Sequence, residues 1–181
     1  MLLYHGSKNQ FDKFSFNFKG LNGSSEGEGI YLTTSKKIAY NNYAGEEGYT
    51  YTVRLNEGKE LSNTEITLTY EEVETVIEQL GSHEILNNYD DVDYYGEEHC
   101  MQVTLDMIFS YNDNDNDIIT DLCSVSGNDS KVLEVISSLG YTHTKMEASW
   151  GYDVETHEIY VVYDLDSLEI LDVEKGGLVT L

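Results

Sequence analysis

Thirty-four Asp and Glu residues against ten Lys and Arg give this 181-residue chain a formal charge of −24, and that self-repulsion constrains its folding more than any other feature. So acidic a chain either stays extended or buries enough apolar surface to overcome its own field. Fifteen Tyr, five Phe and one Trp put it in the second class. At about 150 residues per domain the length fits one domain, residues 1–181. The few cations make direct nucleic-acid binding a poor expectation, because each neutralised phosphate needs one. Two cysteines, Cys100 and Cys123, are too few for a disulfide framework or a four-cysteine zinc site. No apolar run approaches the roughly 20 residues of a membrane span, and the opening Met1-Leu2-Leu3-Tyr4-His5-Gly6-Ser7 lacks a basic segment followed by a long apolar one. A cytoplasmic protein with no membrane partner is expected.

The charge is uneven. Residues 1–37 hold Lys8, Lys13, Lys19, Lys36 and Lys37 against Asp12, Glu26 and Glu28, a net +2, which leaves −26 for the rest. A run of this kind is ordinarily a solvated face. Its functional reading is a site for an anionic ligand such as a small phosphorylated cofactor, since a protein this acidic must cancel its own field locally before it can hold a phosphate.

With no prolines, element boundaries come from Gly, Asn, Asp and hydrophobic periodicity. Met1–Tyr4 reads as a strand, residues 19–29 as a Gly/Ser loop, and Ile30–Thr33 as a second strand. Hydroxyls at Thr33, Thr34 and Ser35 cap a short helix over Lys36–Tyr43, and Tyr49–Leu55 is a third strand. The middle of the chain, about residues 69–139, is helical. Thr69 and Glu72 form a capping-box pattern ahead of Val73, Val76, Ile77 and Leu80, and Gly81 ends that helix. Met101, Leu105, Ile108 and Phe109 make a second stripe; Val132, Val135, Ile136 and Leu139 make a third, started by Asn128 or Asp129 and stopped by Gly140. Strands return at Tyr141–Glu147, Glu158–Asp164 and Leu168–Val173. This order indicates an α+β fold.

The tract Asn112-Asp113-Asn114-Asp115-Asn116-Asp117 resembles a calcium loop only superficially. Counted from Asp113, the sixth position is Ile118 where Gly is needed and the twelfth is Ser124 where Glu is needed, so the tract reads as a solvated loop. His5, His83, His99, His143 and His157 show no ligand spacing, and no metal is expected.

Three separated pieces remain: Leu3-Tyr4-His5-Gly6-Ser7, then Gly27-Glu28-Gly29-Ile30-Tyr31-Leu32 with Tyr40 and Tyr43 downstream, and His157-Glu158-Ile159-Tyr160-Val161-Val162-Tyr163-Asp164. Singly each is weak, for strand tyrosines are ordinary packing and a lone His or Glu is ordinarily structural. Together, in this order, they resemble the three motifs of the ADP-ribosyltransferase superfamily, nearest its His-Tyr-Glu branch, which includes diphtheria toxin and the poly(ADP-ribose) polymerases. The stretch from Leu139 to Leu171 is also similar to small phage and bacterial members that modify host or immune proteins, anti-CRISPR enzymes among them.

The resemblance implies a split β-sheet core and NAD as substrate. Cleavage of the nicotinamide–ribose bond passes through an oxocarbenium-like state that a fixed carboxylate stabilises more than it stabilises the ground state. By likeness to the family, Glu158 is that carboxylate, with Glu147 on the preceding strand as its rival. The likeness also gives His5 the adenosine ribose, Gly6 the nicotinamide carboxamide through its main chain, Ser7 a place beside it, and Tyr31 and Tyr43 the two faces of the nicotinamide ring. Relatives carry the second aromatic one residue sooner, where this chain has Asn42, which leaves Tyr43 preferred over Tyr40. Thr156 stands where arginine-modifying relatives carry Glu or Gln, and Glu155 points to the opposite strand face. Mono-ADP-ribosylation of a protein is the expected activity, the target being a basic nucleic-acid-binding protein or complex. The alternatives are an acidic nucleic-acid mimic without catalysis and an NAD glycohydrolase; RNA 2′-phosphotransferases share the fold but need basic residues around RNA.

Overall fold

In the strand Tyr49–Leu55, the side chains of Tyr51, Val53 and Leu55 are fully buried, the period-two pattern of a sheet with one face on the core. The computed structural model describes residues 1–16, 28–56, 58–149 and 156–176. The Gly/Ser loop expected over 19–29 therefore lies mostly outside the described residues, as do Lys19, Gly27 and Glu155. Within them the strands are β1 (Leu2–Ser7), β2 (Ile30–Thr33), β3 (Tyr49–Leu55), β4 (Lys59–Leu61), β5 (Tyr141–Ala148), β6 (His157–Val162) and β7 (Leu168–Lys175). They form one sheet in the order β4-β5-β6-β2-β1-β3-β7. Every pairing is antiparallel except β4 with β5.

Helices fill the middle of the chain: α1 (Lys36–Ile38), then α2 (Tyr70–Leu80), α3 (Ser82–Leu86), α4 (Val92–Tyr95), α5 (Glu97–Tyr111), α6 (Asp115–Ser126) and α7 (Asp129–Ser138). The fold is α+β, and the helical layer adds Val76, Ile77, Ile108, Ile119, Leu122 and Ile136 to the core. The capping box at α2 forms as its sequence requires, Thr69 Oγ1 accepting from Glu72 N–H while the Glu72 carboxylate accepts from Thr69 N–H. The same carboxylate accepts from the Tyr141 hydroxyl at 2.9 Å and so ties α2 to the start of β5. Burial pushes its pKa up, but the hydrogen bonds from Thr69 and Tyr141 outweigh that and hold it below the ordinary value. The Tyr141 hydroxyl is pushed up to about 12 by burial and by this carboxylate.

Several expectations need correction. The first strand runs to Ser7, so His5 and Gly6 are strand residues instead of following the strand. β6 begins one residue earlier than expected and ends at Val162, and Ile159, Tyr160, Val161 and Val162 are all buried, so residues on both of its faces are covered. The helix expected over Lys36–Tyr43 is α-helical only to Ile38; Ala39–Ala44 is a π-helical turn. Most of all, the Asn112–Asp117 tract is not a solvated loop. Asn114 caps α6, accepting from Asp117 N–H, and Asp115 is fully buried. Its carboxylate accepts from the main-chain N–H groups of Ser62, Thr67 and Leu68 and from the Thr67 hydroxyl, at 2.6–2.9 Å. Four donors and a helix N-terminus stabilise the buried charge and pin the segment between β4 and α2 onto α6.

Candidate active site

β2 is the element on which the site is assembled. On one side it pairs with β6 along its whole length, from Ile30 opposite Val162 to Thr33 opposite Ile159. The ladder continues one residue further, where Thr34 N–H donates to the Glu158 carbonyl at 3.1 Å and Glu158 N–H donates to Thr34 Oγ1 at 3.0 Å. The Glu158 main chain is thereby clamped to the end of β2. Its carboxylate accepts from the Tyr160 hydroxyl at 3.2 Å, two residues along the same face. Directly across on β5 stands Glu147, paired with Glu158 in register, so both acids share one face of the sheet.

On its other side β2 meets β1 only at Tyr4 opposite Thr33, whereas β1 pairs with β3 from Leu2 to Ser7. Carried on, the β1/β2 ladder would bring Gly6 N–H to the Tyr31 carbonyl. His5 occupies that carbonyl instead, its Nδ1 lying 2.8 Å from Tyr31 O. The sheet thus opens between β1 and β2, with the imidazole wedged in the gap and the Gly6 main chain turned toward it.

The carbonyl can only accept, so Nδ1 of His5 carries the proton. Burial holds the imidazole below its ordinary pKa, the hydrogen bond to Tyr31 acting in the opposite sense. A neutral ring protonated at Nδ1 presents Nε2 as an acceptor. Aromatic rings surround it: Phe11 and Phe14 approach edge-on at centroid distances of 5.8 and 5.2 Å, with Tyr51 at 6.0 Å. Phe11 also stacks on Tyr51 at 4.2 Å, and the Tyr51 hydroxyl accepts from Phe11 N–H and donates to the Asn9 carbonyl. The loop after β1 is fastened over His5 by that one phenol. Ser7 Oγ turns into the same loop and accepts from Asn9 N–H at 3.1 Å. Lys8 and Lys13 ride on this loop, exposed. Among the described residues they are the cations with no partner; Lys36, by contrast, is taken up by Glu174.

The π turn brings Tyr43 to β1. A methyl built on Gly6 would lie 1.9 Å from the Ala39 carbonyl oxygen and 2.8 Å from Tyr43 Cβ. Gly6 is therefore required by close packing of the protein on itself, a reason the reading of a ligand against the main chain did not include. A π turn holds one residue more than the α turn it replaces. Tyr43 lies in that turn. Tyr40 instead gives its carbonyl to Gly45 N–H, closing the turn.

With this geometry in view, the family described as ADP-ribosyltransferase in polyvalent proteins matches residues 1–164. The chain belongs to that family. No curated protein and no solved structure matches it.

For an ADP-ribosyltransferase the three motifs come together on adjacent strands, β1, β2 and β6, at the middle of the sheet. By strand alternation His5 and Glu158 face one side of the sheet, while Tyr31 and Gly6 face the other with Tyr43, so the motif residues do not line one wall. Sequence reasoning treated Thr34 as a helix cap and missed Phe11, Phe14 and Tyr51 around His5. The spacing of Phe11 and Phe14 just beyond β1 was the available signal. Nothing local in the sequence marks Tyr51, whose loop partners lie some forty residues earlier.

Proposed function

We propose that this ADP-ribosyltransferase uses NAD, and that it is a mono-ADP-ribosyltransferase of a protein target, deployed by a phage or bacterium against a host or immune protein in the manner of anti-CRISPR members. One observation carries the reading: the main chain of Glu158 is clamped to one edge of β2 at Thr34, and a neutral imidazole is bonded to the other edge at Tyr31.

In the reaction so proposed, the bond between nicotinamide nitrogen and ribose C1′ breaks and its electron pair leaves with nicotinamide. Glu158 supplies the negative charge that stabilises the cationic ribose and accepts a hydrogen bond from a hydroxyl of that sugar. His5 accepts a hydrogen bond at Nε2, as a ribose hydroxyl would offer, and holds the adenosine end. Tyr31 and Tyr43 offer ring faces to nicotinamide. Lys8 and Lys13 are the free cations near enough in sequence to serve the two phosphates. The acceptor side chain then forms its bond to C1′ and gives up its proton.

Residues 70–139 carry seventeen acids against the single cation Lys131, which favours a basic acceptor protein. The same observation is what favours the second reading, a nucleic-acid mimic. Incubation with NAD and host lysate separates the readings. Nicotinamide release with labelled protein is expected, and Glu158→Gln should lower it at least about a hundredfold with the fold retained by circular dichroism. Retained activity in that variant refutes the assignment. Free ADP-ribose without labelled protein marks a hydrolase, and salt-sensitive inhibition that needs no NAD marks a mimic.

A further inference from the structure

Glu158 stands at the first turn of the ladder in β6, half-buried, with a like charge directly across from it. Glu147 pairs with it in register, and like-charged cross-strand neighbours push each other aside. A glutamate so placed has three side-chain torsions to settle and a neighbour that rewards it for swinging away. The Thr34 clamp fixes only its main chain. A transition-state carboxylate nevertheless has to be in position before charge develops, because one that must be recruited loses much of its effect.

The restraint is supplied by Tyr160. Its hydroxyl donates to Glu158 Oε2 at 3.2 Å from two residues along the same strand face. The phenol is itself fixed, being 2% exposed and lying against the His143 ring at a centroid distance of 5.4 Å. His143 is buried in turn, with Nδ1 2.8 Å from Thr142 Oγ1. A buried ring tilted against His143 thus presents one hydroxyl to one oxygen of the carboxylate and leaves the other oxygen for the sugar. Glu147 is exposed, and among the described residues no such donor reaches it. The two acids, alike in sequence and face, differ in that one is held.

We infer that Tyr160 is a positioning residue for the reaction, holding the Glu158 carboxylate in its working rotamer against repulsion from Glu147. The inference rests on the reading of Glu158 as the catalytic acid. It also identifies the property that separates Glu158 from its rival.

The test compares steady-state nicotinamide release by the whole chain and by the variants Tyr160→Phe, Glu158→Gln and Tyr141→Phe. Phenylalanine keeps the ring on His143 and removes only the donor. Tyr160→Phe should lower kcat about five- to thirtyfold with KM for NAD within twofold, since the hydrogen bond orients a group acting in the transition state. Tyr141→Phe removes a comparable phenol-to-carboxylate bond, to Glu72, far from Glu158, and should cost stability without changing kcat. A fall in kcat common to both tyrosine variants, or an unchanged kcat in Tyr160→Phe while Glu158→Gln is inactive, overturns the positioning role alone. A wild type that releases no nicotinamide, or an active Glu158→Gln, overturns both this inference and the assignment beneath it.

Discussion

The two edges of β2 are built differently. Toward β6 the ladder is continuous and prolonged by Thr34, so Glu158 inherits the regularity of a sheet interior. Toward β1 the ladder lapses after one pair, and a side chain bonds to the main chain where the next strand bond would be. The first edge fixes the main chain that carries an acid; the second breaks the ladder beside it. A short strand flanked in this way is rigid on one side and interrupted on the other, which a fully paired strand could not be.

The sharpest way to break this contrast is at the open edge. Gly6→Ala sets a methyl against the Ala39 carbonyl, an atom of the main chain that cannot rotate away. The π turn must shift from β1, with an expected loss of about 3 kcal/mol, or roughly 10 °C in melting temperature, read by thermal denaturation.

A smaller effect concerns the wedge itself. Because burial lowers the His5 pKa in the folded state, the unfolded chain binds the extra proton first as pH falls through the ordinary imidazole range near about 6.5. The stability that depends on a neutral His5 is therefore present above that range and lost below it. Melting curves across this interval should show wild type declining more steeply than His5→Gln; parallel declines would place the imidazole outside the buried gap.

The mildest perturbation is at the paired edge. Thr34→Val keeps the branched shape but removes the oxygen that accepts from Glu158 N–H. It should cost about 1 kcal/mol and a few-fold in kcat, with both edges otherwise intact. An effect as large as that of Gly6→Ala would show that the two edges are not separately built.

Much of this was legible from local pattern. The strands carrying the motifs, the capping box at Thr69 and the stripes of α2, α5 and α7 follow from periodicities spanning a dozen residues or fewer. What escaped depends on partners far along the chain. Asp115 reads as one more solvated acid because its donors, at residues 62 to 68, are some fifty positions away. β4 is three residues long and finds its parallel partner eighty residues later. The π turn over Ala39–Ala44 has no propensity signature, and its residues read as a continuation of the helix. The difference between Glu147 and Glu158 shows only once register sets them opposite each other and, among the described residues, Glu158 alone of the two has a donor.

The place of β6 in the sheet bears on synthesis. It inserts between β5 and β2, so until a strand that follows the helical middle is in place, β1, β2 and β3 stay separate from β4 and β5 in the sheet. Closing the sheet is a long-range event, and a ribosome must release that strand before it can happen.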